Sequence, residues 1–244
     1  GEAVWNDPEH GGPLKGFIRV SPEHQGVGVE TWFAEWGEQL AQERGAQGIR
    51  WLVADRDASA HQLLGSRGYV HVRSLFTMRK DLRPGEILGA PPAAVTIRPY
   101  GDVDERVLFD IHQGSFARHW GFRPTSFDSF NQELHAEDWD PSLVYLAEVG
   151  DQVVGCVISC HYETHGSILI LGVLEPWRGR GIATALLNKS FAELGSRSAA
   201  EARLAVDAEN VQGAVALYER AGMTIDRRYD LFDLGTDASD AARR

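Results

Sequence analysis

An α/β (α+β) fold in two tandem domains, the first incomplete at its front, is predicted by three features of the 244-residue sequence. Stretches of strand period alternate along the chain with stretches of helical period. The order strand, helix, strand, helix, glycine, strand occurs twice with matched spacing. Val20 to Gly28 and Val173 to Gly181 are each eight residues, Gly28 to Gly68 is 40 and Gly181 to Gly222 is 41; such agreement is the mark of an internal repeat. Between the halves, residues 83–94 are rich in proline and glycine and read as a linker. The expected domains are therefore 1–82 and 95–235, followed by a polar tail, 236–244, expected to be disordered.

Each element follows from its own residues. Ala3 to Trp5 reads as a strand end, and Asn6 to Pro13 as a turn-rich loop. Lys15 to Val20 is a predicted strand. Residues 29–44 form a helix with Trp32, Phe33, Trp36 and Leu40 on its apolar side, ended by Gly45 and Gly48. Ile49 to Ala54 is a strand, Ala58 to Ser66 a short helix stopped at Gly68, and Val70 to Met78 a strand. In the second half, Val95 to Arg98 is a strand, and helices are expected at Val103–Phe116 and Thr125–His135. Leu143–Val149 and Val153–Tyr162 are strands joined by the hairpin turn Gly150-Asp151. Ser167–Val173 is a buried strand closed by Glu175-Pro176, and from Ile182 the apolar period turns helical through Ala183, Leu187, Phe191 and Leu194. Ala202–Val206 is a strand, Val211–Arg220 a helix ended by Gly222, and Tyr229–Leu234 the last strand. Val95 to Gly181 spans 86 residues where Gly1 to Gly28 spans 27. That shortfall leads us to expect a sequence that begins inside its first domain.

Composition narrows the function. A formal net charge of -11 argues against general nucleic-acid or anionic-membrane binding. No run of eighteen apolar residues exists, so no membrane span is expected. Cys156 and Cys160 share one face of a strand at a spacing too long to bridge, and are expected to be buried reduced thiols of a cytoplasmic protein. No cysteine–histidine cluster has zinc spacing, so no metal is expected.

The chemistry concentrates at Leu171-Gly-Val-Leu-Glu-Pro-Trp-Arg-Gly-Arg-Gly-Ile-Ala-Thr184. A strand runs into a glycine turn and then a helix start, where outward-facing amides and the positive dipole end make a seat for a pyrophosphate. Neither the dinucleotide fingerprint nor the P-loop is met, since Thr184 stands at the last glycine position and no Gly-Lys-Ser/Thr follows. Arg178-x-x-Gly181-x-Ala183 does match another pattern. With Asn210-x-x-Gly213-Ala214-x-x-Leu217-Tyr218-x-x-x-Gly222, it resembles the two motifs of the GCN5-related N-acetyltransferase (GNAT) family. The repeat makes the chain resemble a tandem member.

The resemblance implies acetyl-CoA as co-substrate and a mixed sheet in each domain. It implies that Arg178, Gly179, Arg180, Gly181, Ile182, Ala183 and Thr184 hold the pyrophosphate, and that Leu171, Gly172 and Val173 pair with pantetheine, Gly172 suiting a bulge. Asn210, Gly213, Ala214 and Tyr218 flank the coenzyme arm, with Tyr218 as proton donor to the leaving thiolate. For the base, Glu148, Glu163, His161 and His165 are candidates, or a water. The first half departs from the pattern: Gln25-x-x-Gly28-x-Glu30 puts a carboxylate at the helix start, Leu64 replaces Tyr218, and Arg56 or Asp57 replaces Asn210. That half is expected to be structural.

The expected function is transfer of acetyl from the thioester to a primary amine of a small molecule or peptide. A tandem member that acetylates a cysteinyl pseudodisaccharide carries a catalytic glutamate where this chain has Ser167, which puts that acceptor in question. A CoA-binding sensor or partner-binding module without turnover is the third reading. Oligomeric state is not fixed by the sequence.

Overall fold

The structure is a computed structural model describing residues 2–4, 12–24, 26–86, 89–101, 104–135, 139–209 and 213–234. In chain order the elements are β1 (Glu2–Val4), β2 (Leu14–Phe17), α1 (Val29–Glu43), β3 (Ile49–Ala54), α2 (Ala58–Ser66) and β4 (Val70–Asp81). Next come β5 (Thr96–Pro99), α3 (Glu105–Phe116), α4 (Phe127–Leu134), β6 (Val144–Val149), β7 (Gln152–His161) and β8 (Gly166–Val173). The chain closes with α5 (Ile182–Ser196), β9 (Glu201–Asp207), α6 (Ala214–Arg220) and β10 (Thr224–Leu234). Nearly every predicted element is present. The tail and most of the loop expected at Asn6–Pro13 lie outside the described residues.

Two compact units interleave along the chain. The first comprises Gly1–Thr77, Val206–Val211 and Ile225–Arg244, the second Met78–Ala205 and Gln212–Thr224. The last strand, which chain order assigned to the second domain, therefore belongs to the first unit. The reason is register: β10 pairs antiparallel with β3 from Tyr229↔Ala54 to Leu234↔Ile49. Arg50 adds a two-pronged bond to Asp233, both distances 2.6 Å.

In the first unit the strand order is β1-β2-β3-β10-β4. β1 and β2 are antiparallel and β2 and β3 parallel, so the sheet is mixed. Its core gathers Leu14, Ile18, Ile49, Val53, Leu64 and Phe232 around Trp51. Trp51 is 1% exposed and lies between two glycines. A Cβ on either Gly16 of β2 or Gly37 of α1 would meet its ring at 2.3 Å. Both positions must lack a side chain for strand and helix to close on the indole, whose N–H donates to Tyr69 Oη at 3.1 Å.

In the second unit the order is β9-β8-β7-β6-β5. β5 to β8 are successive antiparallel neighbours and β8 and β9 are parallel. α5 carries Ile182, Ala185, Leu186, Leu187, Phe191 and Leu194 to the core. Gly166 lets it approach, since a Cβ there would stand 2.5 Å from Leu194. Leu108, Ile111 and Phe130 pack on the β6–β7 face. Cys156 and Cys160 are buried and not disulfide-bonded, and burial pushes the Cys156 thiol up to about 12. Among the described residues no helix is long and apolar enough to cross a membrane.

Candidate active site

The second unit has an opening in its sheet. β8 pairs with β7 from Gly166↔His161 to Val173↔Gly155. Among the described residues its other edge pairs with β9 only at Gly166↔Ala202 and Ser167↔Arg203. Beyond Ser167 the two parallel strands part, and Ile168 to Val173 present backbone N–H and C=O groups without a paired strand on that side. Such an edge is a template for an extended chain bearing amides. Parallel strands also place their carboxyl ends together. The turn leading to α5 follows the carboxyl end of β8, the usual place for a ligand in a parallel pair.

The bulge is at Leu169, not at the expected Gly172. The register with β7 shifts between Ile158↔Ile170 and Ser159↔Ile168, which leaves Leu169 without an opposite residue. An extra residue turns its peptide out of line with the ladder. Gly172 pairs regularly with Cys156 and is needed for another reason. A Cβ there would lie 2.9 Å from Ser115 Oγ and 3.1 Å from Ser115 Cβ, both in the last turn of α3. Gly114 repeats the theme, since its Cβ would meet Leu174 at 2.8 Å. The end of α3 is thus held directly against the end of β8.

After a 3-10 turn at Glu175–Trp177 comes the loop into α5. Gly179 has φ +74° and Gly181 φ +80°, the left-handed region that favours glycine. Nothing lies within 4 Å of a Cβ at Gly179, so the outer face of the loop is open. No side chain caps α5, and its first helical hydrogen bond is Ala185 N–H to Gly181 C=O at 3.0 Å. The amides of Ile182, Ala183 and Thr184 precede that bond and, at the positive helix end, have no partner within the helix. These residues and the β8 edge suit the pyrophosphate and amide arm of coenzyme A.

Arg178 has a different place from the one expected. Its Nε donates to Val173 C=O at 3.0 Å and its Nη2 to Ser115 C=O at 2.8 Å. The guanidinium clamps strand, loop and α3 together. Arg180 is exposed, its guanidinium 4.7 Å from the centre of the Trp177 ring, and supplies the side-chain charge at the loop mouth.

α6 begins at Gly213, φ +75°, with Ala214 its first residue. Tyr218 is half-buried on it, and burial pushes its hydroxyl up to about 12. Asn210 lies outside the described residues. The base candidates separate. Glu148 accepts from Arg98 Nε at 2.6 Å, and Arg98 also binds Asp104 at 2.6 Å, so this carboxylate is held in an ion-pair network. His161, Glu163 and His165 sit around the β7–β8 turn, at the opposite end of β8 from Val173. Eight residues of strand put them about 20 Å or more from that end. Glu148, paired with Arg98, does not stand as a free base.

One group escaped the sequence. His112 of α3 is half-buried, tilted over Phe116 with ring centres 5.0 Å apart. Phe116 in turn would stand 3.6 Å from a Cβ at Gly172. Burial, then the neighbouring His119, hold the His112 imidazole below its ordinary value. Its signal was present in the helical period of α3, but no motif marks it.

Comparison with known proteins agrees with this geometry. The sequence model described as "Acetyltransferase (GNAT) family" matches residues 107–223. A protein named mycothiol acetyltransferase from Pseudarthrobacter chlorophenolicus is 29% identical over 242 residues, covering 93% of this chain and 71% of its own. A GCN5-related N-acetyltransferase from Sphaerobacter thermophilus superposes with TM-score 0.79 at 32% identity, covering 92% of this chain and 74% of its own. A tandem GNAT protein from the clavulanic acid biosynthesis pathway shares the fold, with TM-score 0.68 at 12% identity over 92% of this chain and 75% of its own.

Proposed function

The chain belongs to the GCN5-related N-acetyltransferase (GNAT) family, and from that premise we propose that its second unit transfers acetyl from acetyl-CoA to a primary amine at the opening between β8 and β9. The observation that carries this reading is the parting of the two strands after Ser167↔Arg203, beside an uncapped helix start. The β8 edge from Leu171 to Val173 bonds the amide arm of the coenzyme, and the amides of Ile182, Ala183 and Thr184 take the pyrophosphate. The out-of-line peptide at Leu169 aims a donor at the thioester oxygen, where negative charge grows during attack.

The remaining work is proton movement. An amine attacks only when neutral, and the leaving thiolate is stabilised by a proton. Tyr218, raised to about 12, stays protonated across the working range and donates to the sulfur. His112, held below its ordinary value, is neutral at pH 7 and takes the ammonium proton through a water beside Phe116. Glu30 at the first unit's helix start and Leu64 in place of the tyrosine fit a unit without turnover.

Acylation of a cysteinyl pseudodisaccharide is the second reading, favoured by the mycothiol acetyltransferase at 29% identity. Ser167, at the last rung before the strands part, stands where that reaction's glutamate is expected, so the base must come from elsewhere. A screen of amines, including that pseudodisaccharide, with thiol detection of released CoA separates the readings. A small or peptide amine turned over faster than the pseudodisaccharide supports the first. Release of CoA by none of them, with acetyl-CoA bound, points to a sensor instead.

A further inference from the structure

The first unit has its own version of the glycine loop, filled from within. Gly28 starts α1 with φ +97°, as Gly181 starts α5. Glu30 in the first turn is only 4% exposed, and its Oε1 accepts the Gly26 N–H at 3.1 Å. The chain's own carboxylate thus occupies the ground where α5 leaves amides free. A pyrophosphate there would meet both a filled donor and a like charge.

The parallel strands β2 and β3 also part. They pair from Leu14↔Ile49 to Phe17↔Leu52, and Ile18 N–H still reaches Leu52 C=O at 3.3 Å before the chain leaves the strand. At that point a pocket of about 280 Å³ opens, with an apolar floor of Phe17, Ile18 and Leu52 and the Tyr229 ring edge-on to Phe17. Three arginines line it, Arg19, Arg56 and Arg227, from three different segments. Arg19 Nη2 donates to Tyr229 Oη at 3.3 Å, and Arg227 has Asp226 at 3.6 Å on the surface. Asp57 is the carboxylate of the lining, and its Oδ1 already accepts from Ser59 Oγ and Ala60 N–H as the cap of α2. Three guanidiniums over an apolar floor, in a chain of net charge -11, form a local site of opposite sign to the whole.

We propose that this pocket of the first unit binds a small oxyanion carried on an apolar body, and not coenzyme A. The planar, multiply donating guanidinium matches carboxylate and phosphate oxygens. The floor takes a ring or short chain, and the volume is at the small end for ligand pockets.

The test uses the full chain with saturating CoA, which fills the coenzyme site of the second unit. Phenylacetate and phenyl phosphate are titrated by calorimetry, with 2-phenylethanol as the neutral comparison. At least one anion is expected to bind once per chain, and the alcohol at least tenfold more weakly. The two anions distinguish a carboxylate site from a phosphate site. The variant Arg19→Gln/Arg56→Gln/Arg227→Gln should weaken binding by about tenfold or more, as expected for lost charge-assisted bonds, with CoA affinity unchanged. If the triple variant does not fold, Arg56→Gln alone, at an exposed side chain, should weaken binding several-fold. Absence of anion binding at millimolar concentration, equal binding of the alcohol, or undiminished binding by the variant overturns the proposal.

Discussion

Replacing Gly172 with alanine puts a methyl group where α3 already stands. The new carbon would lie 2.9 Å from Ser115 Oγ and 3.1 Å from Ser115 Cβ. Comfortable carbon contacts begin at about 3.5 Å, so strand or helix must yield by roughly half an ångström. The hydroxyl can rotate away, but the Cβ cannot. Nor is α3 free to retreat, because Arg178 holds Ser115 C=O at 2.8 Å and Gly114 is packed on Leu174. Overpacking of this kind costs about 1–3 kcal/mol, or roughly 2–12 °C in Tm for a chain of this size. Ser115→Gly removes both opposing atoms and by itself costs about 0.5–1 kcal/mol. The double variant should therefore lose less than the two single losses added, with a coupling above about 0.5 kcal/mol. The assay is calorimetric unfolding of wild type, both single variants and the double variant. An unchanged Tm for Gly172→Ala, or strictly additive losses, would refute the close packing of α3 on β8.

Four further outcomes follow from the same geometry. Tyr218→Phe keeps the ring and its packing, so acetyl-CoA should bind almost unchanged while kcat falls on the order of 10²–10⁴-fold if proton transfer limits the rate; full activity would make Tyr218 a core aromatic only. Since His112 titrates below its ordinary 6.5 and loses its role when protonated, kcat/KM should fall as pH drops through a value under 6.5, and stay level up to about pH 10 because Tyr218 remains protonated; His112→Gln should remove the acid limb, and a limb that persists assigns the base elsewhere. Arg178→Gln should lower Tm through two lost bonds to carbonyls worth roughly 1.5–3 kcal/mol each, whereas Arg180→Gln should leave Tm alone and weaken CoA binding most at low salt; the reverse pattern would exchange their roles. Leu64→Ala, at a fully buried position, should cost about 2–5 kcal/mol yet leave turnover per folded molecule intact, as kinetics on the folded fraction will show.

What the sequence could disclose was local. The Gly179–Gly181 turn was readable because positive φ at two nearby positions demands glycine, and the α5 stripe because 3.6-residue spacing is set within one segment. A bulge near the end of β8 was expected from the family resemblance, but its place was not, because it depends on register against β7 and falls on an ordinary leucine. Arg178 looked like a phosphate ligand because its partners are carbonyls 5 and 63 residues away in the chain. Glu148 looked available because Arg98 lies 50 residues off. The assignment of β10 to the first unit rests on pairing with a strand more than 170 positions earlier, which no local pattern encodes.

Calorimetric titration of the full chain with acetyl-CoA, repeated on Gly181→Trp, measures directly where the coenzyme binds. Gly181 sits at φ +80° with Pro92 3.2 Å from its would-be Cβ, so an indole there strains the loop and fills the anion seat. The expected result is one site per chain for wild type and none for the variant. Unimpaired binding by Gly181→Trp would place the coenzyme outside the opening between β8 and β9, and two equal sites would overturn the exclusion of the coenzyme from the first unit.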